Sequence, residues 1–392
     1  MKIGIDKMSF FTPPTYVDMI ELAEARNIDQ NKYLIGIGQG KMGIAAEAYD
    51  IVAMATNAAD KILTDKDKAE IDMVIFATES GVDHSKSAGT WVHDLLGIQP
   101  YARVVEFKQA CYSATAGIQL AMGHITMHPD SKVLILASDI AKYGINTGGE
   151  PTQGAGAVAM LLSADPSILA IEKNSATFTS DIDDFWRPTY SEYAYVDGKY
   201  SNEAYLGTLR SVWDRYKDQF DGKLSDFEAL LFHVPYTKMG RKALEELADD
   251  MNDTDNERFN AYYESGIVYN YVVGNIYTGS LYLSLLSFLE QAEEVEAGKR
   301  IGLFSYGSGA VGEFFVGEIQ AGYKDALLKD AHEKMLEDRA KFELKEYERV
   351  LSTPISVDEE GSANVETKHV NEGDFIFTGI KNHIRQYKKN IK

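Results

Sequence analysis

Apolar runs that end in polar residues alternate along the chain with longer apolar segments that open on small residues. "IDMVIFATES" (71–80) and "FEALLFHVPY" (227–236) are runs of the first kind, rich in residues that favour strands. "ACYSATAGIQLAMGHI" (110–125) and "GNIYTGSLYLSLLSFL" (274–289) are of the second kind and are typical of buried helices. This alternation predicts an α/β protein with βαβ units and a largely parallel, buried sheet.

The two halves of the chain repeat the same order of segments. Each strand and helix is followed by a strand that ends in a Ser/Gly-rich loop, "SKVLILASDIAKYG" (131–144) in one half and "GKRIGLFSYGSGAVGEFFVGEI" (298–319) in the other. The N-terminal "MKIGIDKMSFF" has its counterpart in "SILAIEKNSATF" (167–178). We therefore expect two similar halves, residues 1–166 and 167–392, related by a pseudo-two-fold axis.

The tail of the chain, from residue 320, differs from both halves. It carries "KDALLKDAHEKMLEDRAKFELKEYERVL", an amphipathic stretch of alternating charges, and then a turn-rich break and a basic end, "IRQYKKNIK". We expect the tail to be helical and to pack peripherally on the second half.

Composition and charge narrow the range of partners. The formal net charge is −21, and such a surface repels nucleic acid and anionic membranes. No apolar run has the length of a membrane span, and "MKIGIDKMSFF" reads as a strand rather than a signal peptide. The single cysteine excludes an internal disulfide and suits a reducing compartment such as the cytoplasm.

Cys111 lies between a strand-like run and a helix-like run. A lone buried cysteine is usually a small core residue. A cysteine at a helix N-terminus, however, faces unpaired N–H groups that favour the thiolate and lower the thiol pKa. The small neighbours Ala110, Ser113, Ala114 and Gly117 also leave room for a substrate to approach the sulfur. The sequence therefore leaves a core residue and a nucleophile as alternatives.

Three polar residues take comparable places at segment ends. Glu79 follows one apolar strand and His233 another, where ligands bind in open α/β sheets. Asn275 precedes the second small-residue helix. Taken singly, these residues read as a loop carboxylate, a core histidine and a helix cap. The duplication brings their segments around one axis, so we expect a base, an imidazole and a carboxamide to converge on Cys111.

A small basic group follows His233. Lys238, Arg241 and Lys242 occupy about one helical turn, which is either a solvated helix face or, in so acidic a chain, a polyphosphate contact. The glycine-rich "IGIGQGKMG" (35–43) lacks the spacing of a dinucleotide-binding loop, so neither NAD nor ATP is expected. The histidines show no metal-ligand spacing, and no metal is expected.

Several segments together resemble the hydroxymethylglutaryl-CoA synthase family, bacterial type, over essentially the full length. The resemblance rests on "GIGQGKMG", "ATESGVDHSKS", "ACYSATAG", "GGEPTQGAGAVAML", "DFWRP", "VDGKYSNEAYL", "FHVPYTKMGRKAL", "GNIYTGSLYLSLLSFLE" and "LFSYGSGAVGEFF". The family belongs to the thiolase superfamily, which implies a duplicated five-layered α/β/α/β/α sandwich and a homodimer.

The resemblance also implies roles for individual residues. Cys111 matches the nucleophile that acetyl-CoA acylates, Glu79 the residue that removes a proton from the acetyl methyl, and His233 the residue that polarises acetoacetyl-CoA. The backbone N–H groups of Cys111 and Ser308 match the oxyanion donors. The substrate-binding positions implied are Asp29, Tyr143, Thr152, Ser201, Pro235, Lys238, Lys242, Asn275 and Ser308.

The implied reaction joins acetyl-CoA, acetoacetyl-CoA and water into 3-hydroxy-3-methylglutaryl-CoA, with CoA thioesters as substrates and no separate cofactor. A ketoacyl-ACP synthase III type of enzyme is the alternative within the superfamily, and the carboxylate at Glu79 argues against it. A non-catalytic acyl-CoA-binding protein and a cysteine hydrolase are alternatives of other classes.

Overall fold

The computed structural model describes residues 1–293 and 295–391. The strands are β1 (Ile3–Phe11), β2 (Thr15–Asp18), β3 (Lys41–Gly43), β4 (Ile71–Ala77), β5 (Arg103–Phe107), β6 (Lys132–Ala141), β7 (Gly154–Ala164), β8 (Leu169–Thr179), β9 (Phe185–Trp186), β10 (Tyr195–Val196), β11 (Ala229–Phe232), β12 (Arg300–Gly307), β13 (Val311–Ile319), β14 (Ala340–Lys341), β15 (Ala363–Asn364), β16 (Phe375–Lys381) and β17 (Ile384–Lys389).

The α-helices are α1 (Met19–Ala25), α2 (Ile51–Asp60), α3 (Asp65–Glu70), α4 (Ala88–Leu96), α5 (Ser113–Met127), α6 (Gly198–Phe220), α7 (Thr237–Glu246), α8 (Asp253–Gly266), α9 (Val268–Val273), α10 (Ser280–Gln291), α11 (Tyr323–Ala326), α12 (Lys329–Glu337) and α13 (Leu344–Ser352). Shorter helical turns cover Lys32–Ile37, Glu150–Thr152, Leu224–Asp226, Ala248–Asp250 and Tyr277–Gly279.

The largest sheet has nine strands in the order β11-β12-β13-β8-β1-β7-β6-β4-β5. Three neighbouring pairs are parallel, namely β11–β12, β6–β4 and β4–β5. The remaining pairs are antiparallel. The expectation of a largely parallel sheet is therefore wrong and the sheet is mixed, because in each half the last strand returns antiparallel beside the strand that precedes it.

The two halves of the sheet have the same strand order. Read outward from the centre, the first half runs β1-β7-β6-β4-β5 and the second runs β8-β13-β12-β11, so the second half lacks a counterpart of β5. The halves join through two registered pairs, Gly4 with Ala170 and Ile5 with Leu169. Gly4 is required there, because a Cβ on it would lie 2.0 Å from the Leu169 carbonyl oxygen.

The alternation of side chains along the strands divides the molecule into layers. On β6, Val133 and Ile135 face a core that also contains the apolar residues of α5 and α10, whereas Leu134 and Leu136 face a second core against α2 and α4. In the second half, β11 and β12 divide in the same way between the central core and a third core against α6, α7 and α8. The five layers expected from the resemblance are therefore present, with α5 and α10 in the middle.

The tail packs on both halves, and it contains strands β14 to β17 as well as the expected helices. Helix α12 lies against α10 of the second half, as expected, and His332 Nδ1 bonds to Glu290 there at 2.9 Å. The rest of the tail packs on the first half, contrary to the expectation from the sequence. Strand β14 pairs with β2, and Phe342 and Tyr347 join a core with residues of β2 and α1. Strand β16 lies against α2, where Asn57 exchanges two hydrogen bonds with the backbone of Phe375. The tail's amphipathic pattern predicts that its apolar face is buried, but it carries no information about which half receives that face.

Candidate active site

Cys111 lies on a tight turn between β5 and α5. Ala110, just before it, has φ of 44°, which places a residue with a side chain in the left-handed region. Ser113 fixes this turn, because its Oγ accepts from the Gln109 N–H at 2.6 Å and donates to the Ala110 carbonyl at 2.9 Å. Tyr112 is the N-cap of α5, so the predicted position of the cysteine just before a buried helix is correct.

Glu79 follows β4 and meets the sulfur of Cys111. The thiol donates to Glu79 Oε1 at 3.4 Å. Burial, followed by the charge of Asp139, raises the pKa of the Glu79 carboxyl to about 8. Burial and the Glu79 carboxylate raise the pKa of the Cys111 thiol well above its usual value. The thiol pKa is therefore raised and not lowered as the helix N-terminus suggested, because enclosure and a neighbouring anion outweigh the backbone N–H groups.

Asp139, near the end of β6, is a buried residue that the sequence reasoning missed. Its Oδ1 accepts from the hydroxyl of Thr78 at 2.8 Å, the N–H of Glu79 at 2.9 Å and the N–H of Ser80 at 3.0 Å. Burial raises the pKa of Asp139 to about 6. It fixes the loop that carries Glu79 and supplies a second negative charge beside it. The sequence does contain a sign of this site, because Asp139 lies near the end of the apolar strand β6 and Glu79 follows the apolar strand β4.

The second half approaches the nucleophile turn through the loop between β12 and β13. A Cβ on Gly307 would lie 2.5 Å from the Gln109 carbonyl and 2.6 Å from the Tyr112 nitrogen, so only glycine permits this approach. The adjacent Ser308 accepts from Gln109 Nε2 through its carbonyl at 3.4 Å. The structure therefore brings Ser308 next to the turn of Cys111.

Residues at the starts of α10 and α5 also touch. The Thr278 hydroxyl accepts from the Ala114 N–H at 2.8 Å, and the Thr278 N–H donates to Asp139 Oδ2 at 3.3 Å. Asn275 lies just before them, with Oδ1 accepting from the Tyr277 N–H at 2.8 Å. The cap expected at Asn275 is thus a local turn, since α10 itself begins after Gly279.

His233 and Asn275 each keep a buried nitrogen free. His233 Nδ1 and Asn275 Nδ2 are buried and have no hydrogen-bond partner within the part of the chain that the structure describes. Burial lowers the pKa of His233 to about 3, so the imidazole is neutral near pH 7. Unpaired buried nitrogens are costly unless a ligand satisfies them, so both are suited to bind an incoming carbonyl.

The segment around β9 covers Cys111 and Glu79, and the sequence assigns it no role beyond the resemblance. Phe185 packs edge-on against Tyr143 and Tyr277, with ring centroids 5.9 Å apart in both contacts. Arg187 donates to the Glu79 carbonyl. Burial, and then the nearby Cys111 and Glu79, raise the pKa of Tyr143. Tyr143 therefore lies close to Cys111 and Glu79.

Asp184 connects the same covering segment to the Ser308 loop. Its Oδ1 accepts from the Gly309 N–H at 2.9 Å and its Oδ2 from the Tyr306 hydroxyl at 2.8 Å. Ser201, one of the predicted substrate positions, donates to Asp184 Oδ2 at 3.5 Å. Asp184 begins the segment "DFWRP", but the polar residues around it gave no sign of this role.

The remaining predicted residues form their hydrogen bonds with neighbours other than Cys111 and Glu79. Asp29 is exposed and bonds to the Asn31 N–H at 2.9 Å, while the Thr152 hydroxyl bonds to the Gly149 carbonyl at 2.8 Å. Pro235 follows His233 and leads into α7. Within the described chain, none of these residues forms a hydrogen bond or ion pair with Cys111 or Glu79.

The basic group lies on α7. Arg241 is paired with Glu264, so it is committed within the protein. Lys238 and Lys242 have no salt bridge to an acidic side chain of residues 1–293 and 295–391, and four residues apart on a helix they share one face. Two of the three predicted cations therefore remain available to an anion.

A cavity of about 1130 Å³ reaches the site from the side of Glu79. Its lining includes Glu79, His84, Lys86, Lys142, Arg187 and Tyr193. This cavity leaves Glu79 half-buried, although protein surrounds most of its side chain. Among the described residues no group of acidic, histidine or cysteine side chains is arranged to hold a metal ion, and no helix is long and apolar enough to cross a membrane.

Comparison with known proteins agrees with this geometry. Family models described as the N-terminal and C-terminal parts of hydroxymethylglutaryl-coenzyme A synthase match residues 1–167 and residues 169–265 and 245–390. The hydroxymethylglutaryl-CoA synthase of Enterococcus faecalis is 51% identical over 388 residues, which cover 99% of this chain and 100% of that protein.

Solved structures extend the similarity to three dimensions. A crystal structure of HMG-CoA synthase complexed with CoA superposes with a TM-score of 0.96 at 44% identity, covering 99% of this chain and 100% of that one. MvaS in complex with 3-hydroxy-3-methylglutaryl coenzyme A has a TM-score of 0.90 at 33% identity, with 99% of each chain covered. With its mixed sheet, its cysteine turn and its adjoining carboxylate, the chain belongs to the hydroxymethylglutaryl-CoA synthase family.

Proposed function

We propose that the chain condenses acetyl-CoA with acetoacetyl-CoA and water to give 3-hydroxy-3-methylglutaryl-CoA and free CoA, a step of the mevalonate pathway. The observation that carries this proposal is the 3.4 Å contact between the Cys111 thiol and the Glu79 carboxylate. A nucleophile that holds the acetyl group and a base beside it are the two groups that a Claisen-type condensation needs.

The first step is transfer of the acetyl group. The Cys111 thiol passes its proton to Glu79 as the sulfur attacks the thioester carbonyl of acetyl-CoA. The bond between the carbonyl carbon and the CoA sulfur then breaks, and Glu79 gives the proton to that sulfur, so CoA leaves as the thiol and Glu79 is again a carboxylate. The oxyanion is stabilised by the backbone N–H groups of Cys111 and Ser308, which the contact at Gly307 places on adjoining turns. The product is an acetyl-cysteine.

The second step forms the carbon–carbon bond. Glu79 removes a proton from the acetyl methyl, and a base with a pKa near 8 binds that proton more strongly than an ordinary carboxylate would. The carbanion attacks the ketone of acetoacetyl-CoA, which the free nitrogens of His233 and Asn275 polarise. The alkoxide that forms takes the proton from Glu79 and becomes the 3-hydroxyl group. Water then cleaves the enzyme thioester and regenerates the thiol.

The CoA moiety is assigned to the predicted outer positions. Lys238 and Lys242 bind its phosphates, and both are free of salt bridges in the described chain. Asp29, Thr152, Ser201 and Pro235 line its path, with Tyr143 at the inner end. The relatives solved with CoA and with hydroxymethylglutaryl-CoA support CoA thioesters as the ligands.

Three further proposals concern organisation. The chain divides into the halves 1–166 and 167–392, of which the first carries the nucleophile. It forms a homodimer through β5, a sheet edge that pairs only with β4 in the described residues and exposes Val105. A Val105→Lys variant that light scattering shows to be a monomer supports this β5 interface, and an unchanged dimer contradicts it.

The chain works in the cytoplasm, where the thiol stays reduced.

The experiment that tests the function is an assay for free CoA with each substrate alone and with both. We expect rapid CoA release only when both thioesters are present, together with hydroxymethylglutaryl-CoA by mass spectrometry. Equal release from acetyl-CoA alone would indicate a hydrolase, and no release would indicate a binding protein. Condensation with an acyl carrier protein but not with acetoacetyl-CoA would indicate the ketoacyl synthase alternative.

A further inference from the structure

A buried carboxylate of the second half contacts the nucleophile turn without belonging to the reacting groups. Glu313 on β13 is 1% exposed. Its Oε2 accepts from the Tyr112 hydroxyl at 2.6 Å and its Oε1 accepts from Gln119 Nε2 at 2.8 Å. Tyr112 directly follows Cys111, and Gln119 lies about two turns farther along the same face of α5. Glu313 therefore holds the nucleophile helix at two levels.

The strand that carries Glu313 belongs to the hairpin that presents Ser308. Strands β12 and β13 are antiparallel, with Ser305 opposite Glu313 and Gly307 opposite Val311, and Ser308 lies in the loop that joins them. One oxyanion donor therefore lies on this hairpin, and the other lies on the turn that Glu313 holds through Tyr112. This hydrogen bond therefore joins the two elements that carry the donors.

A contact of this kind is unnecessary for packing alone. An apolar residue of similar volume would fill the space without the cost of desolvating a carboxyl group. Burial also raises the pKa of Glu313, which is a sign of that cost. The carboxyl group offers two acceptors in one plane, and each acceptor is used by a different turn of α5. The two acceptors of Glu313 therefore suit a role in fixing the rotation of α5 about its own axis.

We propose that Glu313 is a positioning residue for acetylation of Cys111, acting through the Tyr112 hydroxyl to set the Cys111 N–H against the Ser308 N–H. This inference rests on the proposed function, in which these two N–H groups stabilise the oxyanion. Misplacement of reacting groups by about 1 Å costs up to about a hundredfold in rate. The effect falls on the rate of acetyl transfer and leaves acetyl-CoA affinity unchanged.

The test compares single-turnover acetylation rates in Tyr112→Phe, Glu313→Ala, Glu313→Gln and the double variant Tyr112→Phe/Glu313→Ala. We expect each of the first two to lose about ten- to a hundredfold in the acetylation rate. The double variant is no slower than the slower single variant, because both remove the same contact. Glu313→Gln keeps most of the rate, since its carboxamide oxygen still accepts from Tyr112.

Tyr269→Phe is the matched control. It also removes a buried hydrogen bond between a tyrosine and a glutamate, here Tyr269 to Glu290 at 2.5 Å. We expect it to lower the melting temperature as Tyr112→Phe does and to leave acetylation unchanged. If Glu313→Ala does not fold, the comparison of acetylation rates between Tyr112→Phe and Tyr269→Phe still tests the role of Glu313.

The inference is overturned if Tyr112→Phe acetylates as fast as Tyr269→Phe, or if the two single effects multiply in the double variant. Either result assigns Glu313 a purely structural role. The proposed function fails separately, when the unaltered protein takes no acetyl label from acetyl-CoA. A labelled parent protein with unaffected variants refutes only the role of Glu313.

Discussion

Glu290 and Glu79 are both largely surrounded by protein, but their side chains have opposite environments. The side chains of Glu290 and His332 are 0% exposed and form a complete set of hydrogen bonds. His332 Nδ1 donates to Glu290 at 2.9 Å, and the Tyr269 hydroxyl donates to Glu290 at 2.5 Å. Glu79 is half-buried beside a cavity, and in the described chain the Cys111 thiol is the one donor to its carboxylate. Glu79 has, in addition, a second anion nearby in Asp139.

The difference separates a structural pair from a reactive one. The pair of Glu290 and His332 joins α10 to α12, and His332 Nε2 accepts from the Phe10 N–H at 3.3 Å, so every strong group has a partner. The pair of Glu79 and Cys111 has unused acceptors, a shared proton and access for a ligand. Unsatisfied groups lower stability but leave binding capacity, which is typical of active sites.

The largest expected effect comes from removing the reactive sulfur. Cys111→Ser should abolish acetyl-enzyme formation and condensation, because a serine hydroxyl beside a carboxylate stays protonated near neutral pH. Mass spectrometry after incubation with acetyl-CoA and the melting temperature are the two measurements. We expect no added acetyl mass and an unchanged melting temperature. A stable acetyl adduct on the variant would show that the nucleophile is another residue.

The pH dependence of condensation should follow the raised pKa of Glu79. The carboxylate acts as a base only when it is ionised, so the rate falls about tenfold for each pH unit below the pKa of about 8 and levels off above it. The initial rate from pH 6 to 9 measures this limb, with circular dichroism at each pH as a control for unfolding. A rate that is flat over this range would contradict the base assignment.

The structural pair should respond in stability rather than in activity. Burial lowers the pKa of His332, so this histidine binds fewer protons in the folded chain than in the unfolded chain. Its contribution is present above the unfolded value near 6.5 and is lost as pH falls toward the lower folded value. His332→Gln should cost about 1–3 kcal/mol of unfolding free energy at pH 7.5 and flatten the decline of stability between pH 6.5 and 5.

Urea unfolding of both proteins at several pH values provides the measurement for His332. Condensation per folded molecule should be unchanged in the variant. A large loss of the condensation rate constant with little loss of stability would contradict the structural role of His332 and group it with Glu79 and Cys111.

The sequence predicts Glu79, Cys111 and their meeting because both follow apolar strands whose carboxyl ends share one edge of the sheet. It does not predict that Arg187, Phe185 and Asp184 cover that edge, since their segment has no periodic pattern. The direction of the Cys111 pKa shift also depends on enclosure, which a local helix start cannot reveal. The tail contacts both halves, and its amphipathic pattern does not identify which part contacts which half.

The smallest effect is expected from Lys238 and Lys242, which are half-buried on α7 and lie outside both pairs. Lys238→Ala/Lys242→Ala removes two contacts worth about 0.2–1 kcal/mol each, so the KM for acetyl-CoA should rise about two- to thirtyfold at low salt. The effect should shrink as ionic strength rises, with kcat nearly unchanged. Arg241→Ala is the matched control, because that cation is paired with Glu264. Equal KM changes in both proteins would contradict the assignment to CoA phosphates.

The central claim is that Cys111 carries the acetyl group while Glu79 moves the methyl proton, and Glu79→Gln tests it most directly. The measurement is the acetyl label per subunit at completion together with the condensation rate, on one preparation. We predict that the label reaches the parent stoichiometry, although more slowly because the thiol has lost its proton acceptor, while condensation falls by about a hundred- to ten-thousandfold. Label and condensation that fall in equal proportion would contradict the claim and restrict Glu79 to activating the thiol.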